Sequence, residues 1–101
     1  MSNDALFPKG AALVVGASGG IGGKVAEILG KDGSDLALVY NRKAEAAQAV
    51  ASSIPTLSSV HRCDVTDPVA VAALVEAAVA QHGRIHTLVW AAGPLVDQLY
   101  L

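Results

Sequence analysis

The residues with the clearest chemical meaning form a glycine-rich turn at positions 16–22, which reads Gly-Ala-Ser-Gly-Gly-Ile-Gly. The turn directly follows an apolar run at 11–15 and opens a segment with helical periodicity. A buried strand, a glycine turn and a helix N-terminus in this order favour pyrophosphate binding. The first helical N–H groups lack partners and carry partial positive charge, and glycines let phosphates come close. A glycine turn that binds nothing is the plainer alternative.

The glycines of this turn fit two registers. One is Gly-x-x-x-Gly-x-Gly and uses Gly16, Gly20 and Gly22, whereas the other is Gly-x-x-Gly-x-x-Gly and uses Gly19 in place of Gly20. The spacing alone does not choose between them. The hydroxyl of Ser18 has two local roles open to it, donation to a phosphate or capping of the helix. The candidate phosphate-binding residues are therefore Gly16, Ser18, Gly19, Gly20, Ile21 and Gly22.

Asn41 and Arg42 follow the second apolar run of the chain. A coenzyme with a free 2′-hydroxyl is usually held at such a place by Asp or Glu, and no carboxylate stands there. A guanidinium suits a 2′-phosphate because it offers several donors and a fixed charge. We therefore expect NADP(H), with NAD(H) as the alternative, and Lys43 could assist electrostatically. A solvated arginine at the start of a helix is the competing interpretation.

The third and fourth strand ends carry the remaining candidates. Asp64 could accept a hydrogen bond from an adenine amino group, while Val65 offers a backbone N–H and an apolar wall; capping of the following turn is the alternative for Asp64. Ala92 and Gly93 are small enough for a ribose to approach the backbone. Strand alternation places Trp90 in the core under a helix, with a stacking role as the minor alternative.

Strand-like and helix-like stretches alternate along the whole chain, which predicts the order β-α-β-α-β-α-β. This order is typical of a Rossmann-type α/β fold in three layers, with a parallel sheet and right-handed crossovers, equal to half of a doubly wound fold. Ligands of such sheets bind at the carboxyl ends of the strands, where all the candidates lie. We expect strands at about 11–15, 36–40, 57–63 and 87–91, and helices at about 20–31, at about 43–53, and from Asp67-Pro68 to near Gly83.

The ends and faces of the helices can also be predicted. Gly33 is expected to cap the first helix in a left-handed conformation, and Asp67 with Pro68 is expected to start the third. Apolar spacing predicts which positions face the core. These are Ile21, Val25, Ile28 and Leu29 in the first helix, and Val71, Leu74, Val75, Ala78 and Val79 in the third.

Composition limits the classes of protein to which this chain can belong. The 101 residues are 52% hydrophobic and only 16% charged, so we expect surfaces that pack against more chain or another subunit. The net charge of −2 gives no basic surface for nucleic acid. The single Cys63 cannot form an internal disulfide, and no signal peptide or bilayer-spanning run is recognisable, so a cytoplasmic location is expected. His61, His82 and His86 lack metal-ligand spacing and are interpreted as structural or surface residues.

Taken together, these strand ends resemble the N-terminal part of a short-chain dehydrogenase/reductase, in the branch that includes the 3-oxoacyl-carrier-protein reductases. Residues 16–22 match the coenzyme turn of that family, Asp64-Val65 its adenine-contacting pair, and Ala92-Gly93 the end of its Asn-Asn-Ala-Gly element. Val15 stands in place of the usual Thr, and Trp90-Ala91 replaces the two Asn. The resemblance implies hydride transfer between NADP(H) and a carbonyl or alcohol substrate, in a homo-oligomer that binds neither nucleic acid nor membrane.

The catalytic Ser, Tyr and Lys of that family lie downstream of the matched region. Tyr40 and Tyr100 are the only tyrosines, and neither has a Lys four positions later, so no residue of 1–101 is assigned a catalytic role. We expect 1–101 to be the NADP-binding N-terminal portion of a longer single-domain enzyme, inactive by itself. A non-catalytic dinucleotide-binding module or sensor is the alternative. Methyltransferase-like and epimerase-like nucleotide folds fit less well, the former because Asn41-Arg42 stands where it needs an acid.

Overall fold

The computed structural model describes residues 8–17 and 19–91, and within them the predicted alternation of strands and helices is confirmed. The strands pair in parallel in the order β3-β2-β1-β4, so the chain moves outward from β1 to β3 and then returns to the other side of β1. This reversal is the switch point at which doubly wound folds bind ligands. The elements are β1 (Ala11–Val15), α1 (Gly20–Lys31), β2 (Asp35–Tyr40), α2 (Ala44–Ser53), β3 (Ser58–Arg62), α3 (Pro68–His82) and β4 (Ile85–Trp90).

Helices cover both faces of the sheet, and alternate strand residues therefore enter two separate apolar clusters. Every residue of β1 is buried, as expected for a strand with layers on both sides. One cluster lies under α1 and α2 and contains Ala12, Val14, Ala17, Ala26, Leu36, Leu38 and Ile54. The other lies under α3 and contains Leu13, Val15, Ala37, Val39, Cys63, Leu74 and Ala78.

The face of α1 that packs on the sheet differs from the predicted one. Its buried residues are Gly22, Gly23, Ala26 and Gly30. Ile21 and Ile28 are instead 77% and 52% exposed, so the predicted face is wrong for these two, while Val25 and Leu29 are half-buried at its border. The reason is steric: glycine and alanine let the helix axis come closer to the sheet than a row of isoleucines would allow. The apolar pattern of a sequence shows where hydrophobic residues recur, but it does not show where the packing requires small ones.

The prediction of which side of α3 faces the core is correct for some of its residues and wrong for others. Leu74 and Ala78 are buried and Val71 is half-buried, but Val75 and Val79 are 41% and 40% exposed. Apolar residues occur all around this helix, so its periodicity indicates only weakly which side faces the sheet. None of the helices among the described residues is long and apolar enough to cross a membrane.

The predicted helix ends are confirmed by their hydrogen bonds. Gly33 has a φ of 104° and donates to the carbonyl of Gly30, while Ser34 donates to that of Leu29, which together form a Schellman motif. The carboxylate of Asp67 accepts from the N–H of Val69 at 3.0 Å, with Pro68 in the first turn of α3.

Strand β4 begins two residues earlier than predicted. Ile85 pairs with Ala11, and the register then shifts so that Thr87 pairs with Ala12. His86 lies at this shift in register. The polar pair His86-Thr87 interrupts the apolar pattern from which the start of the strand was predicted.

We expect Gly30→Ala to destabilise the chain, although alanine favours a helix over glycine by about 1 kcal/mol. A Cβ at this position would lie 2.7 Å from Cγ2 of Ile54, and overpacking of this kind costs about 1–3 kcal/mol. Because Ile54→Ala removes the colliding atoms, the free energies of unfolding of the two single variants should not add in the double variant. Urea denaturation measures the coupling. Gly20→Ala is the control, because nothing lies within 4 Å of a Cβ there. Strict additivity would contradict the assigned packing.

Candidate functional site

The carboxyl ends of β1, β2 and β3 are joined by backbone hydrogen bonds. The N–H groups of Gly16 and Ala17 both donate to the carbonyl oxygen of Val39 at 3.0 Å, and Cys63 donates to that of Tyr40 at 2.9 Å. A small cavity of about 60 Å³ opens between these ends. It is lined by Val15, Gly16, Val39, Tyr40, Asn41, Cys63 and Val65.

The two glycines shared by both registers are required by the protein itself. Gly16 has a φ of 89°, a left-handed conformation that disfavours residues with a Cβ. A Cβ on Gly22 would collide with the carbonyl group of Gly16. By contrast, a Cβ on Gly19 would make only an ordinary contact at 3.5 Å, and one on Gly20 would meet nothing within 4 Å. Backbone conformation therefore accounts for Gly16 and packing for Gly22, while the positions that distinguish the registers, Gly19 and Gly20, have room for a Cβ.

The N-terminus of α1 presents backbone donors at this place. The N–H of Gly23 makes the first helical hydrogen bond, to the carbonyl of Gly19 at 2.9 Å, so the N–H groups of Gly20, Ile21 and Gly22 precede the helical bonding pattern. The first turn carries no acidic residue, and the N-cap Gly19 makes no side-chain cap hydrogen bond. No acidic side chain within the first turn therefore offsets the partial positive charge of the helix end. Ser18 lies outside the described residues.

Basic side chains border the same edge of the sheet at the end of β2. Asn41, Arg42 and Lys43 are all exposed, and residues 42–46 line an open depression of about 500 Å³ at the start of α2. The guanidinium of Arg62 donates through Nε to the carbonyl oxygen of Asn41 at 3.2 Å, which places a second arginine beside this turn.

Asp64 caps the turn that follows β3, as one of the two sequence interpretations expects. Its Oδ1 accepts from the hydroxyl of Thr66 at 2.6 Å and from the N–H of Thr66 at 3.0 Å. These two hydrogen bonds lower the pKa of the Asp64 carboxyl, and the charges of Arg62 and Arg42 lower it further. The sequence analysis did not single out Thr66, although Asp-x-Thr is a pattern that favours such a turn. Because both bonds use Oδ1, capping is compatible with an adenine contact at the other oxygen.

The end of β4 carries Trp90, whose predicted position under a helix is confirmed. The indole is half-buried and packs against the cluster beneath α3. Its Nε1 is buried and has no hydrogen-bond partner in the part of the chain that the structure describes. The N–H of Ala91 donates to the carbonyl of Val15 at 2.8 Å, which extends the pairing of β4 with β1. Ala92 and Gly93 lie outside the described residues.

Two other side-chain features bear on chemistry at this edge. Cys63 is buried, as predicted, and burial raises the pKa of its thiol, with smaller contributions from Asp64 and Asp67. A thiol with a raised pKa is a poor nucleophile. Across residues 8–17 and 19–91, no three His, Cys, Asp or Glu side chains come together as a metal-ion site.

The sequence of the chain matches a known protein family over most of its length. The sequence model described as short chain dehydrogenase matches residues 10–99, which is most of the chain. The chain belongs to the short-chain dehydrogenase/reductase family. This confirms the resemblance inferred from the strand ends, and it agrees with the parallel sheet and the glycine turn.

Relatives and solved structures of the family agree with this assignment. The D-threitol dehydrogenase of Mycolicibacterium smegmatis is 40% identical over 85 residues, which cover 81% of this chain and 32% of the relative. The 3-oxoacyl-(acyl-carrier-protein) reductase of Staphylococcus aureus is 36% identical over 93 residues, which cover 89% of this chain and 38% of the relative. A short chain dehydrogenase from Burkholderia cenocepacia, solved in complex with NADP, superimposes with a TM-score of 0.74 at 38% identity, covering 78% of this chain and 34% of that one. The chain thus spans about a third of the length of these relatives.

We expect Thr66→Val to raise the pKa of Asp64, because the variant loses the hydroxyl donor but keeps the backbone N–H and the nearby arginines. The pKa should stay below that of an unperturbed aspartate. Thr66→Ser, which retains the hydroxyl, is the control and should leave the pKa nearly unchanged. Carboxyl chemical shifts followed by NMR through an acid titration measure all three. An unchanged pKa in Thr66→Val would show that the hydroxyl bond does not stabilise the carboxylate.

Proposed function

We propose that residues 1–101 are the coenzyme-binding N-terminal portion of a longer, single-domain NADP-dependent oxidoreductase. The whole protein would transfer hydride between NADP(H) and a carbonyl or alcohol substrate, and would assemble as a homo-oligomer. The observation that carries this proposal is the group of N–H donors of Gly20, Ile21 and Gly22, which precede the first helical hydrogen bond described in α1. They lie beside the switch point of a parallel sheet, next to a glycine with open space where its Cβ would be.

The residues present fit a dinucleotide diphosphate. We assign diphosphate binding to the turn formed by Gly16, Ser18, Gly19, Gly20, Ile21 and Gly22, which offers backbone donors and no nearby carboxylate. The small cavity between the carboxyl ends of β1, β2 and β3 would receive one edge of the adenine, with Val65 as an apolar wall. Asp64, next to Val65 in the chain, would accept a hydrogen bond from the adenine amino group. Ala92 and Gly93, by their match to the family element, would allow close approach of a ribose. The bound coenzyme supplies or accepts the hydride.

The end of β2 supports NADP(H) over NAD(H). Asn41, Arg42 and Lys43 are exposed beside an open depression, and none of them is a carboxylate that would hold a free 2′-hydroxyl or repel a phosphate. Arginine presents several donors to a phosphate in a fixed plane, whereas lysine acts as a point charge. The NADP present in the Burkholderia cenocepacia relative is consistent with this choice.

We expect Arg42→Ala, in the longer protein, to weaken NADPH binding far more than NADH binding. Loss of a charged hydrogen-bond partner costs about 1.5–3 kcal/mol, or roughly a tenfold to hundredfold loss in affinity. Titration calorimetry with both coenzymes measures the difference. Arg84→Ala is the matched control, because Arg84 is also exposed but precedes β4 at the opposite edge of the sheet. Equal losses for the two coenzymes would mean that Arg42 does not contact the 2′-phosphate.

A polypeptide of residues 1–101 alone is expected to bind coenzyme without catalysing hydride transfer, because no residue in it matches the family's catalytic Tyr and Lys. NADPH oxidation is followed at saturating coenzyme with a panel of ketones, on material whose intact mass is verified. Substantial turnover would refute the assignment of catalysis to residues beyond 101. Binding is measured separately by calorimetry with NADPH, NADH and adenosine phosphates, and an absence of any binding would refute the coenzyme site itself.

A further inference from the structure

A hydrogen-bonded group of three polar side chains lies away from the coenzyme edge. Ser59 of β3 is 9% exposed, and its hydroxyl lies 2.7 Å from Nε2 of His61 and 2.8 Å from Nε2 of His82. His61 belongs to the same strand, whereas His82 is the last residue of α3. The group therefore links the outermost strand of the described sheet to the end of the helix that covers it.

The hydrogen-bonding capacity of these groups limits where their protons can lie. A hydroxyl carries one hydrogen, so Ser59 can donate to only one of the two imidazoles and must accept from the other. Nδ1 of His82 is buried and has no hydrogen-bond partner among residues 8–17 and 19–91. A hydrogen on that atom would be a buried orphan donor, which folded proteins avoid. His82 is therefore neutral with its hydrogen on Nε2, and it donates to Ser59. The arrangement in which the hydrogen of Ser59 is also used has Ser59 donating to Nε2 of His61, which places the hydrogen of His61 on Nδ1.

We propose that Ser59, His61 and His82 form an acid-sensitive latch that holds β3 to the end of α3 and loosens when its imidazoles are protonated. A proton added to His82 must go to the buried Nδ1, where it has no acceptor. A proton added to His61 goes to Nε2, which turns that nitrogen from an acceptor into a donor and leaves the hydrogen of Ser59 without an acceptor in this group. The latch lies apart from the proposed coenzyme site. None of its three residues belongs to the glycine turn or lines the cavity at the carboxyl ends of β1, β2 and β3.

The charged groups around the latch do not cancel this effect. Asp35 at the start of β2 favours the imidazolium form of His82, as does the carboxyl end of α3. Desolvation outweighs Asp35 and lowers the pKa of His82; it also lowers the pKa of His61, with a further decrease from His82. The remaining histidine, His86, also has a lowered pKa through desolvation and Arg84, against the opposing influence of Asp35.

The direction of the pH dependence follows from these shifts. A histidine with a lowered pKa in the folded state binds its proton more readily when unfolded. Its contribution to stability is complete above the unfolded pKa of about 6.5, and it is lost as the pH falls from there toward the folded pKa.

The test compares urea unfolding midpoints of the full chain at about pH 7.5 and about pH 5.5, conditions that span the ordinary titration of histidine. We expect a clear drop in the midpoint on acidification. The drop should be at least halved in the double variant His61→Gln/His82→Gln, whose amides can still hydrogen-bond to Ser59 but do not titrate. His86→Gln is the matched control and should retain most of the drop. An undiminished drop in the double variant would overturn the proposal, as would a native chain without any drop.

A second measurement on the unmodified chain does not depend on whether the variants fold. Long-range nitrogen–proton NMR correlations at neutral pH identify which ring nitrogen carries the hydrogen. We expect the Nδ1–H form for His61 and the Nε2–H form for His82. An Nδ1–H form for His82 would overturn the proposal, because a proton added on acidification would then not go to the buried Nδ1.

Discussion

The close approach of Gly22 to the carbonyl group of Gly16 is the contact on which the candidate site depends. A Cβ at Gly22 would collide with that carbonyl, and so the start of α1 can lie directly against the end of β1 only because position 22 is glycine. The same approach leaves the N–H groups of the first turn of α1 next to the end of the central strand. Val39 strengthens the arrangement, because its carbonyl oxygen accepts from both Gly16 and Ala17 and so ties the turn to β2.

Small residues also occupy the rest of the buried side of α1, and they determine how closely this helix packs on the sheet. Gly22, Ala26 and Gly30 follow one another at intervals of four and form the buried side, where Gly30 meets the side chain of Ile54. A helix held this close to a sheet loses the contacts that large side chains would make, and the neighbouring apolar groups partly replace them. The helix that follows the glycine turn is therefore positioned by the small residues on its inner face.

Local signals in the sequence were sufficient for the order of elements and for the helix ends. Asp67 followed by proline, and Gly33 after the first helix, act through the backbone of their own neighbourhood, so their effects could be predicted without the rest of the chain. Features that depend on distant contacts could not be predicted in this way. The inner face of α1 depends on the size of the space above β1 and β2, and the start of β4 depends on its shifted pairing with Ala11. The link between Ser59 and His82 joins residues separated by 23 positions and has no local pattern.

The candidate site combines two kinds of group that differ in how the fold holds them. The groups assigned to the diphosphate are backbone N–H groups, whose positions are set by the fully buried β1 and by the contacts of α1. The groups assigned to the choice of coenzyme, above all Arg42, are exposed side chains that follow a strand end and contribute little to the core. Because Arg42 is exposed and lies outside the core, a substitution there is expected to leave the fold intact, and under the proposed assignment it would alter the preferred coenzyme. A substitution at Gly22 cannot do so, since it changes the packing of the helix on which every other part of the site depends.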